Sequence, residues 1–169
     1  MEQSKNKRII VGIIILVVVA AALIAVFATK GKSSLTYGDY KADKCIHIWL
    51  ASDNPDVVRS KEESSTLNLA KDSLTITYSA SEEKTYNNIT YRKNDDADKA
   101  VAALTEKDYA ISKDSSPVLY DVCEKDTVRY KLLAFDDTVI VFTPGTKAAW
   151  GEDDDLLQNA YTITEYTLQ

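Results

Sequence analysis

Twenty consecutive residues, Ile9 to Ala28 (IIVGIIILVVVAAALIAVFA), carry no charge and no strongly polar side chain. A helix of that length spans about 30 Å, the thickness of a bilayer's hydrocarbon core. In lipid the backbone must satisfy its own hydrogen bonds, so even this Ile- and Val-rich stretch is forced into a helix. No face of it is polar, which removes a buried amphipathic helix of a globular domain. The segment is therefore expected to be an uncleaved signal anchor. A cleaved signal peptide is the alternative, with Val26 and Ala28 as small residues at a cut site. No cysteine lies near its end, so a lipidated lipoprotein is excluded.

The expected organisation is a cytoplasmic tail over residues 1–8, a transmembrane segment over 9–28, a linker over 29–36 and an extracytoplasmic domain over 37–169. The tail carries Lys5, Lys7 and Arg8, and the far flank carries Lys30, Lys32, Lys41 and Lys44. Flanking positive charge therefore does not decide the orientation. The partner implied by residues 9–28 is the lipid bilayer, with the protein single-pass in the cell membrane. The lysine-rich basic set and plain architecture lean toward a bacterial chain.

Charge divides the chain sharply. Residues 1–32 hold five basic groups and one acid; the rest of the chain's 20 basic and 26 acidic groups leaves residues 33–169 at a net −10. A domain so acidic repels phosphate backbones, so no nucleic-acid partner is expected. It is long enough to bury one core of its own.

Beyond the linker the pattern is period two. Cys45 to Leu50, Ser73 to Tyr78, Asn88 to Arg92, Val118 to Cys123, Thr127 to Phe135, Thr138 to Thr143 and Tyr161 to Leu168 are rich in β-branched and aromatic residues. Acidic turns separate them at Lys71-Asp72, Glu124-Lys125-Asp126 and Asp136-Asp137, where Asp tolerates unusual backbone angles. Asp96 to Leu104 has helical composition with acids in its first turn. Residues 145–158 read as a long loop or short helix. The fold class is mainly β, with α+β as the variant: about eight antiparallel strands in a meander or small barrel, and one helix inserted after the fourth or fifth. The strand count and length are similar to small lipocalin-like barrels, although no motif of that family is present.

Cys45 and Cys123 are the only cysteines. An even count after an export segment predicts one disulfide, worth about 4–5 kcal/mol for so long a loop in the chain-entropy model. That bond would also favour the outside placement of the domain. The competing reading makes one thiol a nucleophile. His47, the only histidine, sits two residues from Cys45 and would share its face on a regular strand. Arg129 follows Cys123 by six residues. A membrane-anchored β-domain with Cys, His and Arg resembles the sortase transpeptidases and would imply a cysteine-dependent enzyme. Leu119-Tyr120-Asp121-Val122-Cys123 departs from that family's Thr-Leu-x-Thr-Cys run at the hydroxylated positions.

Asn94-Asp95-Asp96-Ala97-Asp98 spaces oxygen ligands like a calcium loop, but Lys99 and Thr105 stand where glycine and glutamate are required. A helix N-terminus explains these acids better. Glu152-Asp153-Asp154-Asp155 is the densest charge run, with Asp153, Asp154 and Asp155 as a weak metal candidate; no metal and no cofactor are expected. Three glycines beyond residue 32 preclude a glycine-rich phosphate loop, and one histidine precludes HExxH. Asn88-Ile89-Thr90 fits a glycosylation sequon, relevant only to a eukaryotic secretory route. Trp150, Trp49 and His47 are the candidate binding residues, because tryptophan is enriched at recognition hot spots. The expected function is non-enzymatic binding of an envelope protein or small ligand. The alternatives are a lipocalin-like site for an apolar ligand and the sortase-like enzyme.

Overall fold

The computed structural model describes residues 35–49, 54–145, 150 and 155–169. The chain divides into residues 1–32 and 33–169, and only the second unit is described. The transmembrane reading of residues 9–28 lies outside the described residues. Among the described residues, no helix is long and apolar enough to cross a membrane.

The elements are β1 (Gly38–Ile48), α1 (Pro55–Glu63), β2 (Thr66–Leu69), β3 (Ser73–Ser79), β4 (Glu82–Asn87), β5 (Ile89–Asn94), α2 (Ala97–Thr105), β6 (Val118–Glu124), β7 (Thr127–Phe135), β8 (Thr138–Pro144), α3 (Leu156–Asn159) and β9 (Ala160–Leu168). All strands form one antiparallel sheet, ordered β4-β3-β2-β1-β9-β8-β7-β6-β5. Pairing of the first strand with the last curls the meander into a nearly closed barrel. The seam lies between β4 and β5, which are consecutive in the chain yet pair with different neighbours. Asn88 turns the chain there at φ 57°, and Ile89 N–H still reaches the Asp72 carbonyl.

The expected mainly-β meander is therefore present, with nine strands instead of about eight. The inserted helix follows the fifth strand. Two of the three acidic turns carry a left-handed residue, Asp136 (φ 49°) and, in the other, Lys125 rather than an acid (φ 57°); the turn at Lys71-Asp72 does not. Helix α1 is an addition. Its signal was Asn54-Pro55-Asp56: the Asn54 side chain accepts from Asp56 N–H at 3.0 Å, proline sits in the first turn and an acid follows.

Two apolar layers share this sheet. The barrel interior draws on both flanks: Tyr40, Leu67, Leu74, Ile76, Tyr120, Leu132, Val141 and Tyr166 among others. A second layer covers the outside of β6–β9 and reaches Ile46 of β1; there Leu119, Leu133, Ile140, Phe142 and Ile163 meet Ala100 and Leu104 of α2, Leu156 of α3, and Trp150.

The expected disulfide is corrected by this geometry. Cys45 and Cys123 are both buried free thiols. Cys45 lies on β1 opposite Thr164, and Cys123 lies on β6, with β9, β8 and β7 between. Strands lie about 4.8 Å apart, so the separation far exceeds the Cα distance a disulfide tolerates.

Candidate functional site

A cleft of about 710 Å³ lies on the outer face, between α2 and α3 over β6 and β7. Its floor is Leu119, Ala103 and Leu156, with Lys131 at its base; its rim carries Asp96, Lys99, Glu106 and Asp155. The acidic run at Asn94 positions one wall. Asn94 Oδ1 accepts from Asp96 N–H at 2.9 Å, a turn that starts α2, and Lys99 pairs with Asp96 at 2.9 Å. The helix reading of these acids is the one the backbone adopts. Asp155 forms the other wall as the cap of α3, accepting from the N–H groups of Leu157 and Gln158.

A charged network lies at the cleft's base. Asp121 and Lys131 are cross-strand partners on β6 and β7, joined at 2.8 Å with each side chain 11% exposed. Asn94 Nδ2 donates to both Asp121 oxygens, at 3.0 and 3.2 Å, and Arg92 stands 3.8 Å away. Burial of such a pair is tolerable because its remaining hydrogen bonds are met. Lys131 Nζ also lies 5.7 Å from the centre of the Trp150 ring. Sequence reasoning missed this network. The signal was present: Asp121 and Lys131 each interrupt an apolar strand run with an opposite charge.

The sequence candidates are scattered. Trp150 is 6% exposed, tied to β7 by its N–H to the Val128 carbonyl, and its indole N–H has no partner among the described residues. Trp49 is 44% exposed at the end of β1, with its N–H on the Tyr161 carbonyl. His47 does not share a face with Cys45. A bulge inserts one residue, so Cys45 faces Thr164 while His47 faces Ile163 of the outer layer. Burial, reinforced by Lys107, pulls the His47 pKa below its ordinary value. Of the metal candidates, Asp155 is engaged as a helix cap, and Asp153 and Asp154 lie outside the described residues. Among the described residues, no three His, Cys, Asp or Glu side chains gather as a metal set.

Neither thiol is activated. Burial, then the nearby Glu62 carboxyl, pushes Cys45 up to about 11, and its Sγ donates to the His47 carbonyl at 3.5 Å. Burial also raises Cys123. Arg129 is engaged with Glu124 Oε2 at 2.8 Å. The Cys, His and Arg of the sortase-like reading are therefore not brought together. Comparison of the chain with protein-family models, with curated proteins and with solved structures found no match.

Proposed function

We infer that this chain is a membrane-anchored, non-enzymatic binding module, held in the bilayer by residues 9–28 with its barrel on the extracytoplasmic side. With the disulfide gone, the outside placement rests on the short basic tail and export-type segment alone. The recognition surface is the outer cleft between α2 and α3. One contrast carries this reading: the barrel interior is lined by large buried side chains such as Tyr40, Leu74, Leu132 and Tyr166, whereas the outer face carries an open, mixed-polarity cleft. Large tyrosine and leucine side chains turned inward favour this reading over the lipocalin-like alternative, which needs space beyond what side chains occupy.

Charge indicates the partner. Lys99 and Lys131 are already paired with Asp96 and Asp121, which leaves Glu106 and Asp155 to set the sign of the rim. The complementary ligand is a segment of an envelope protein that offers a basic side chain beside an apolar anchor for Leu119 and Leu156. The test is photo-crosslinking from Ala102 and Gln158 in the full chain in its own membrane, with Thr85 of β4 as a distant control. Adducts specific to the cleft positions, competed by a Lys/Leu-containing peptide but not by a Glu/Leu counterpart, are expected. Identical adducts from all three positions, or none, would defeat the reading.

A further inference from the structure

The charges of the outer cleft are sorted by depth. Asp96, Glu106, Asp155 and Asp121 are opposed by Lys99, Lys131 and Arg92, so the sum lies close to balance. The acids in excess stand on the rim. Glu106 has no ion pair among the described residues, and Asp155 spends Oδ1 on the cap of α3. At the base the excess is positive, because the single carboxylate of Asp121 meets both Lys131, at 2.8 Å, and Arg92, at 3.8 Å.

Hydrogen-bond accounting at the base is uneven. The Asp121 carboxylate is well supplied: Lys131 Nζ donates to Oδ1, and Asn94 Nδ2 donates to both oxygens. Lys131 is not. Its ammonium carries three donors, and Asp121 Oδ1 takes one of them. Trp150 presents its ring 5.7 Å away, which gives the charge a π face but no oxygen acceptor. Two N–H groups are therefore left without a protein acceptor among the described residues. They belong to a side chain that lines the cleft and is 11% exposed. Burial strips most of their water, and an incoming oxygen would restore the lost partners.

The apolar floor lies beside this donor. Leu119 precedes Asp121 by two positions on β6, so both point to the outer face, about 7 Å apart along the strand. Asp121 in turn lies opposite Lys131 on β7. An acceptor for Lys131 and an apolar group for Leu119 can thus come from one Cα. The last residue of a chain supplies both, since its carboxylate and its side chain leave the same carbon. A residue within a chain brings only a neutral carbonyl, which does not answer the positive excess. An Asp or Glu spends its side chain on the carboxylate and has none for the floor.

We propose, building on the cleft as the recognition surface, that it captures the free C-terminus of its partner protein. The terminal carboxylate accepts from Lys131. An apolar last side chain rests on Leu119, Ala103 and Leu156. A basic residue just before it faces Glu106 and Asp155.

Fluorescein-tagged peptides ending Gly-Lys-Ala-Leu are titrated into the full-length protein in nanodiscs and followed by anisotropy. The free acid should bind at least about tenfold more tightly than the C-terminal amide, as hydrogen bonds to a charged group warrant. That preference should vanish in Lys131→Gln. Should that variant not fold, Lys131→Gln combined with Asp121→Asn leaves no lone buried carboxylate and should show the same loss. A preference that persists without Lys131 overturns the proposal. Acid and amide that bind alike, both better than a peptide with glutamate in place of lysine, overturn terminal capture and leave the basic-segment reading standing. An amide ending Lys-Asp-Leu that binds as tightly as the acid also overturns it, because an acidic side chain then suffices. Binding of neither acid nor amide defeats both readings.

Discussion

The two flanks of the barrel solve the same folding problem differently. On β2 and β3 only one face is covered, and burial alternates along Thr66–Leu69 and Ser73–Ser79. On β7 and β8 both faces are covered, and burial is continuous through Leu132–Phe135 and Val139–Thr143. The sequence records the difference. Leu74, Ile76 and Tyr78 alternate with hydroxyl residues, whereas Val139-Ile140-Val141-Phe142 has no polar interruption. A sheet with two dry faces needs apolar residues at both parities, and a sheet with one wet face does not. The doubly covered flank also carries the cleft and its buried charge pair. The singly covered flank carries α1 and its buried acid, Glu62.

The largest test of this division removes volume from the doubly covered flank. Phe142 is fully buried in the outer layer, between the sheet and its covering elements. Phe142→Ala should cost about 3–5 kcal/mol, from lost transfer energy and a cavity. Thr75→Ala, on the wet face of β3, should stay within about 0.5 kcal/mol. Denaturant unfolding of both variants checks the pair. Comparable losses would mean that the flanks do not differ in packing.

Next in size is Leu104→Ala, at the end of α2. Leu104 is fully buried but belongs only to the outer layer. A loss of about 3 kcal/mol is expected. Because the barrel interior is untouched, the far-ultraviolet signature of the strands should persist while amide exchange quickens in α2 and α3. Quickened exchange throughout β2 and β3 would show instead that the outer layer is no separate unit.

This comparison also explains what could be read in advance. Alternation marks the strand at Ser73, because a half-buried pleat imposes it, while runs of β-branched and aromatic residues mark those at Val118, Thr127, Thr138 and Tyr161. Thr66–Leu69 is four residues long, and Glu82–Asn87 is almost wholly exposed, so neither displays a strong pattern. The β1 bulge was invisible, since it depends on the register against β9. That single inserted residue separates Cys45 from His47 and undoes the expectation that they share a face. The cleft was legible only as two misplaced charges, Asp121 and Lys131, whose meeting is a property of register. The disulfide failed because cysteine count and compartment say nothing of distance.

A smaller effect belongs to the singly covered flank. Asn54 caps α1 through one side-chain acceptor. Asn54→Ala should cost about 1 kcal/mol, the usual worth of such a cap. Exchange should quicken over residues 55–63 and be unchanged in α2. An effect on α2 of similar size would indicate that the two helices are coupled through the sheet.

The smallest effect concerns pH, and it sets the two faces of β1 against each other. Outside, His47 is held neutral by burial and by Lys107, so its folded pKa lies below the unfolded 6.5. The unfolded chain then binds more protons in that window, and stability falls as pH drops below about 6.5 until the folded pKa is reached. Inside, the folded pKa of Glu62 lies above its unfolded 4.5, so its share of stability is lost as pH rises from 4.5. The two groups therefore pull the pH of greatest stability from opposite sides. His47→Gln removes only the outer pull, so between pH 7.5 and 5.0 its unfolding midpoint should fall less, or rise more, on acidification than the native protein's. Glu62→Gln should leave that acid-side loss in place. Identical pH profiles for the native chain and His47→Gln would mean that the imidazole is as well solvated folded as unfolded. The bulge would then separate His47 from Cys45 without burying it.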